Sequence, residues 1–388
     1  MITQTLWLNQ LSNRWPIGRV KDHVVLTNGF PFDSQSFSQS AGVRLVRIRD
    51  LTDGGDVTYL EGTVPRTTLI DSGDVIVGMD GDFNAVTWSG GSAALNQRLC
   101  VLRSRPSLDQ RFLAYVLPLP LKAINDVTYF TTVKHLSSAD LLGERIPVPP
   151  LSAQRAIADY LDRETARIDA LIEAKRRMVE LLGQRWQAIR NYKILHGFDP
   201  LTGSGCLPNK WQLRNLGSTV TLQRGHDLPS DRRSPGPIPV VSSGGVSGWH
   251  NQAACEPPGV VTGRYGTIGD TYFVDVPYWP LNTTLFVSDF RGNDPRWVFH
   301  ALAALPLTVD AEKSAVTGIN RNVIGMLKIP VPPVRDQEQL AQDIDASMVQ
   351  SSNIVHRLDR QIELLQEHRQ TLITAAVTGE LEIPEAAA

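Results

Sequence analysis

The sequence predicts an α/β (α+β) fold: two mixed domains in tandem, each followed by a proline-rich step and one long helix. Three observations predict it. An internal repeat runs through the chain, a coiled-coil seam recurs at the same point of each repeat, and short apolar runs broken by glycine precede each seam.

The repeat is carried by Ile146-Pro147-Val148-Pro149-Pro150, which recurs as Ile329-Pro330-Val331-Pro332-Pro333 at an offset of 183 residues. Without a gap, the same offset pairs Gln154 with Gln337, Ala158 with Ala341, Asp162 with Asp345, Arg177 with Arg360 and Glu180-Leu181-Leu182 with Glu363-Leu364-Leu365. A second offset of 196 matches Leu11, Asn13, Trp15, Leu26 and Gly29 with Leu207, Asn209, Trp211, Leu222 and Gly225, so the first copy carries 13 more residues between the markers. The chain therefore divides into a first variable domain (1–145, its body from about Trp15), a first proline-rich step and helix (146–197), a second variable domain (198–328, its body from about Trp211) and a second step, helix and tail (329–388).

Heptad spacing predicts the helices. Leu161, Thr165, Ile168, Ile172, Lys175, Val179, Leu182, Trp186 and Ile189 advance in steps of four and three, and Ile344, Met348, Ser351, Val355, Leu358, Ile362, Leu365, Arg369 and Leu372 do the same in the second copy. The prolines ahead of each helix favour an extended lead-in. Ser152 and Asp336 are suitable N-caps, the latter with Gln339 at capping-box spacing. His196-Gly197 before Pro200, and Gly379 before Pro384, are stop signals. Each helix is expected to span about 40 residues, roughly 60 Å.

Composition limits the classes that remain. A chain of 388 residues holds two or three domains at roughly 150 residues each. Its 42% hydrophobic content without a long uninterrupted apolar run predicts a soluble protein, and Met1 to Gln10 lack a signal-peptide pattern, so a cytoplasmic location is expected. Cys100, Cys206 and Cys255 are too far apart for a disulfide framework or a paired-thiol zinc motif, so no metal site is expected. A net charge of -2 is low for a stand-alone nucleic-acid binder and requires basic residues to cluster on one face, or partners to share the phosphate contacts. There is no phosphate-cradling loop ending in Lys-Ser or Lys-Thr, no paired-histidine zinc helix and no nucleophile elbow. Pro149-Pro150 and Pro332-Pro333 are followed by Leu151 and Val334, so the aromatic Pro-Pro motif that holds a flipped base is absent too. No catalytic residue is expected.

With its two proline-rich steps (Ile146 to Gln154, Ile329 to Gln337) and the closing run Ala375-Ala376-Val377-Thr378-Gly379, the chain resembles the specificity subunits of type I restriction-modification systems over nearly its whole length. Gly73 to Asp82 with Leu95-Asn96-Gln97-Arg98 looks like one version of that family's recognition domain; Gly263 to Gly269 with Trp279 to Thr284 looks like another. The resemblance implies two target recognition domains, each reading half of a split double-stranded DNA site, held apart by an antiparallel coiled coil of the two long helices. It also implies two methylation subunits using S-adenosylmethionine, and restriction subunits using ATP with Mg in the full complex. This subunit itself would hold no cofactor and meet no membrane. A non-catalytic coiled-coil scaffold without DNA binding is the alternative, and convergent Arg, Asn and Gln on the domain surfaces would argue against it.

Candidate DNA contacts follow from residue chemistry. Val43 to Asp50 reads as a strand with Arg47 and Arg49 on one face, where arginine could fork onto guanine. Asp80 and Asp82 in the turn after a buried strand, and Arg264 and Tyr265 in its counterpart, sit beside glycines that permit sharp loops facing DNA. Asn96, Gln97 and Arg98, like Asn282, Thr283 and Thr284, carry polar groups suited to base edges, although buried, satisfied side chains would look the same. Lys134 and His135, and Asn320 and Arg321, precede the two proline steps in loops that could meet phosphate, and Ser242 and Ser243 open a glycine turn that could wrap a backbone.

Overall fold

The structure, a computed structural model, describes residues 14–52, 56–127, 134–308 and 318–384. The repeat markers Leu11 and Asn13 and the segment Met1 to Gln10 lie outside the described residues. The chain forms two compact units, residues 1–174 with 361–388 and residues 175–360, each of which takes part of both long helices.

In unit 1 a two-stranded ribbon joins Ile17–Arg19 to Arg145–Pro147. Beyond it lies an antiparallel sheet in the order Val24–Asn28, Leu99–Ser104, Val75–Gly78, Ala85–Thr87. Every residue of Val75–Gly78 is buried, as a continuous apolar run bounded by turns requires. A five-stranded sheet follows the order Phe37–Ser38, Thr58–Leu60, Val43–Val46, Ala93–Leu95, Leu69–Ile70, and its Val43–Val46 and Ala93–Leu95 strands pair in parallel.

Unit 2 repeats the plan. Its ribbon joins Gln212–Asn215 to Lys328–Val331, and its four-stranded sheet runs Thr221–Arg224, Thr284–Asp289, Gly259–Gly263, Thr271–Val274. A three-stranded sheet again contains one parallel pair, Ile238–Ser242 with Trp279–Pro280. The two ribbons pair Ile17 with Pro147 and Leu213 with Pro330, so the offsets of 196 and 183 read from the sequence meet in a single register. Most of the first copy's extra length falls between Val46 and Gly78, 32 steps against 22 from Val241 to Gly263, and there it supplies Leu69–Ile70, one of the strands that widen the second sheet of unit 1, the other being Phe37–Ser38.

The long helices, Leu151–Leu195 and Val334–Thr378, have 45 residues each, or about 68 Å. They exceed the expected 40 because they start immediately after the prolines. The Pro150 carbonyl accepts from the Gln154 N–H at 3.0 Å, and the Pro333 carbonyl from the Asp336 and Gln337 N–H groups. Ser152 and Asp336 thus lie inside the first turn rather than at the N-cap, and Gln339 donates to Asp343 instead of closing a capping box. The preceding proline is tolerated because the helix start asks nothing of its missing N–H. His196, Gly197 and Gly379 have φ of 48°, 78° and 83°, the left-handed stop expected at the helix ends.

Within unit 1 the helices run antiparallel. Arg369 donates to Asp169 at 3.2 Å, while upstream Ile157 and Leu161 share a core with downstream Ile373, Ala376 and Val377. Of the seam, Leu161, Ile168, Ile172, Ile344 and Leu358 are buried, and Val179, Leu182, Trp186, Ile189, Val355, Ile362, Leu365 and Leu372 are half-buried. Met348 departs from the expected seam: it is exposed, at the mouth of a unit 2 cleft lined by Trp186 and Arg190, whose large side chains leave it wetted.

In each unit the sheet-bearing domain is fastened to its helix segment by the same polar clip. In unit 1, Gln154 is buried; its Oε1 accepts from the Asp109 N–H (2.7 Å), and its Nε2 donates to the carbonyls of Ser107 and Pro149. Asp109 in turn caps the helix Gln110–Val116, whose Arg111 and Tyr115 both reach Asp162. In unit 2, Gln337 accepts from the Asp294 N–H (2.8 Å), Asp294 caps Pro295–Ala304, and Arg296 and His300 both reach Asp345. Burial would raise the Asp345 carboxyl, but Arg296 and His300 outweigh it and hold the group below its ordinary value. His300 is fully buried, and burial pushes its imidazole down to about 4 against the opposing pull of Asp345.

Candidate nucleic-acid interface

At the end of each four-stranded sheet, three segments that are distant in sequence are knitted by the same backbone bonds. In unit 1 the Met79 N–H donates to the Arg98 carbonyl (3.0 Å) and the Met79 carbonyl accepts from the Leu136 N–H (2.8 Å). In unit 2 the Arg264 N–H donates to the Thr283 carbonyl (2.9 Å) and the Arg264 carbonyl accepts from the Ile319 N–H (3.0 Å). The junctions are the same, yet the side chains they carry differ.

The unit 1 junction gathers most of its expected residues. Asp80 bonds to His135 Nδ1 at 2.7 Å and to the Arg98 guanidinium. Burial alone would raise the Asp80 carboxyl; the bonds and charges of His135 and Arg98 hold it below the ordinary value instead. Lys134 donates to Asn125 Oδ1 at 2.9 Å and lies 3.9 Å from Asp82. The turn itself needs Gly81, at φ 77°. Asn96 spends its Oδ1 on the Gln97 N–H at 2.6 Å, leaving Gln97 exposed beside the exposed Arg98, Asp82 and His135.

Arg47 and Arg49 do not belong to this group. The expected strand stops at Val46, because Asp50 accepts from the Arg47 N–H (2.8 Å) and turns Ile48–Leu51 into a 3-10 helix, a local bond that displaces the sheet ladder. Arg47 then donates to Thr58 Oγ1 within its own sheet, while Arg49 is exposed near Asp50.

In unit 2, Arg264 stacks 4.4 Å above the Tyr265 ring, and that ring lies so close to Gly318 that a Cβ there would come within 2.2 Å of it. Ser243 stands beside the Gly266 turn, 3.3 Å from where a Cβ on Gly266 would lie. Other expected contacts are used internally. Ser242 Oγ donates to the Gly245 carbonyl and accepts from the Gly244 N–H, closing the hairpin. Thr284 is fully buried and donates to the Leu281 carbonyl, so it is unavailable to a base edge; the Thr283 hydroxyl is also buried, while Asn282 bonds to Asp227. Asn320 caps the turn Arg321–Ile324, leaving Arg321 exposed.

Sequence reasoning missed Phe30 and His226, which bridge to Asn96 and Leu281 at the two junctions; Phe30 is 44% exposed. The signal was present in Gly29 and Gly225. A Cβ at these positions would lie 1.9 Å from the Asn96 carbonyl oxygen and 2.1 Å from that of Leu281, so both glycines mark a close approach of backbones next to an aromatic ring. Among the described residues, no cluster of three or more His, Cys, Asp or Glu is placed to hold a metal ion.

The two units thus carry one backbone junction under different side chains. Residues 14–181 match the type I restriction modification DNA specificity domain. The resemblance to type I specificity subunits noted in the sequence is thereby borne out, and the specificity domain so matched contains the whole unit 1 junction. A relative, the type I restriction enzyme EcoBI specificity subunit of Escherichia coli, is 41% identical over 166 residues, covering 42% of this chain and 35% of the relative's own length. The fold is shared with a solved chain described as the structural basis of complex assembly and conformational transition of the type I R-M system: TM-score 0.72, 17% identity, 96% of this chain and 99% of that one. Among the described residues, no helix is long and apolar enough to cross a membrane.

Proposed function

We propose that the chain is the sequence-reading, non-catalytic subunit of a type I restriction-modification complex, with each unit's junction reading one half of a bipartite DNA site. The observation that carries this is the repetition of one backbone junction, Met79 with Arg98 and Leu136, then Arg264 with Thr283 and Ile319, under different exposed side chains. One scaffold presented twice with different tips would read two different half-sites. The two 45-residue helices would set the unread spacer, and their exposed faces would dock two methylation subunits that use S-adenosylmethionine. Restriction subunits with ATP and Mg would complete the assembly, which would work in the cytoplasm.

Selection of bound duplexes from a random library by the chain purified with its methylation subunit tests this reading. Two short fixed blocks at a constant gap are expected; no enrichment would leave the scaffold alternative standing. Lengthening both helices by matched heptads should widen the gap, whereas an unaltered gap would remove the helices' spacer role.

A further inference from the structure

The charges at the unit 1 junction largely cancel, since Asp80 and Asp82 stand against Arg98 and Lys134. Phosphate neutralisation supplies most of the affinity of a DNA-binding surface, and this junction alone supplies little of it. A different part of unit 1 concentrates unbalanced positive charge. The ribbon register places Arg19 directly opposite Arg145, so their side chains share one face of an antiparallel pair, where like charges repel. Lys21 joins them around an open cleft of about 510 Å³. All three are exposed, and among the described residues none has an ion-pair partner; Asp22, also in the lining, pairs with none of them. Arg105 continues the basic edge, hydrogen-bonded through its backbone N–H to the His23 carbonyl and through Nε to that of Val24.

The fold does not need this cluster. At the matching positions of unit 2, Asn215 faces Lys328 and Gly217 replaces Lys21, and the ribbon forms in the same register. Three uncompensated cations that the scaffold can do without, two of them held in a repulsive pairing, are explained by an anion that comes from outside. We infer that Arg19, Lys21 and Arg145 form a phosphate clamp that grips the DNA backbone and contributes affinity without reading sequence. This rests on the DNA-reading role proposed above. Arginine and lysine at such a cleft bind phosphodiester oxygens by charge and by N–H donation, and they carry no base information.

The test measures the salt dependence of duplex binding by the chain in complex with its methylation subunit, for wild type and for the triple variant Arg19→Gln, Lys21→Gln, Arg145→Gln. The expected result is a slope of log affinity against log salt reduced by about 0.9 for each phosphate that is no longer neutralised, up to about 2.7 in all, and roughly hundredfold weaker binding near physiological salt. The weakening should be equal for cognate and unrelated duplexes, leaving the discrimination ratio and the recognised sequence unaltered. The charge-preserving pair Arg19→Lys, Arg145→Lys should keep the wild-type slope, and Arg145→Glu alone supplies the measurement if the triple variant fails to fold. An unchanged slope with intact sequence-selective binding overturns the clamp while leaving the DNA-reading role in place. So does a variant that loses its protein partner instead of DNA, which would mark the cleft as an acidic-protein site. Absence of sequence-selective binding by the wild-type complex overturns both.

Discussion

Acidification should loosen unit 2 through one side chain. His300 is buried beneath the clip that holds the helix Pro295–Ala304 to Asp345, and its imidazole titrates at about 4 rather than 6.5. The folded form therefore binds its proton less readily than the unfolded form. The stabilisation is fully present above the unfolded value of 6.5 and is lost as pH falls toward the folded value. At about pH 5 the unfolded imidazole is mostly protonated and the folded one mostly neutral, which with about 1.36 kcal/mol per pKa unit amounts to a loss of about 2 kcal/mol relative to neutral pH. Hydrogen exchange across a urea series, read on the peptide spanning Asp294 to Leu305, isolates this unit from the rest of the chain. Comparison with His300→Gln, which cannot titrate, removes the contribution of every other group. The wild type should lose about 2 kcal/mol more than the variant between neutral pH and about pH 5. Equal losses in the two proteins would refute the assignment.

Three further outcomes follow from the same geometry. Gln337→Leu strands the Asp294 N–H, the Asn293 carboxamide oxygen and the Pro332 carbonyl, so unit 2 should lose about 1–3 kcal/mol in urea unfolding, as should unit 1 with Gln154→Leu. Gly29→Ala drives a Cβ into the Asn96 carbonyl oxygen at 1.9 Å; binding to duplexes altered in one half-site at a time should show weakened discrimination at one half-site and unaltered discrimination at the other. Arg98→Ala releases Asp80 from a cationic partner, and if Arg98 forks onto guanine the discrimination at that base should fall by about 1–3 kcal/mol, measured by competition with single-base variants.

Much of the architecture was legible because it is written twice. The pairing of Ile17 with Pro147 and of Leu213 with Pro330 realises both sequence offsets, and the left-handed residues at His196, Gly197 and Gly379 end the helices where the glycines said they would. Gln154 and Gln337 were visible as a matched pair, but the clips they form were not, since their partners Asp109 and Asp294 sit more than 40 residues away. Local competition hid other features. Nothing in the alternation of Val43 to Asp50 reveals that Asp50 would take the Arg47 N–H and end the strand. Likewise, the polar spelling of Asn282-Thr283-Thr284 does not distinguish a hydroxyl offered to a ligand from one buried against the Leu281 carbonyl. The sequence marked Asp80, Arg98 and His135 only as separate polar candidates, and three-dimensional closure brought them together.

The most direct measurement of the central claim is genome-wide sequencing of methylated adenines in cells that express this chain with the methylation subunit proposed as its partner, before and after segment 15–145 is exchanged for that of a known type I specificity subunit. A split motif with a fixed gap, changed in one half and untouched in the other by the exchange, is the predicted result. A motif that changes in both halves, or stays the same, would contradict the assignment of one half-site to each unit.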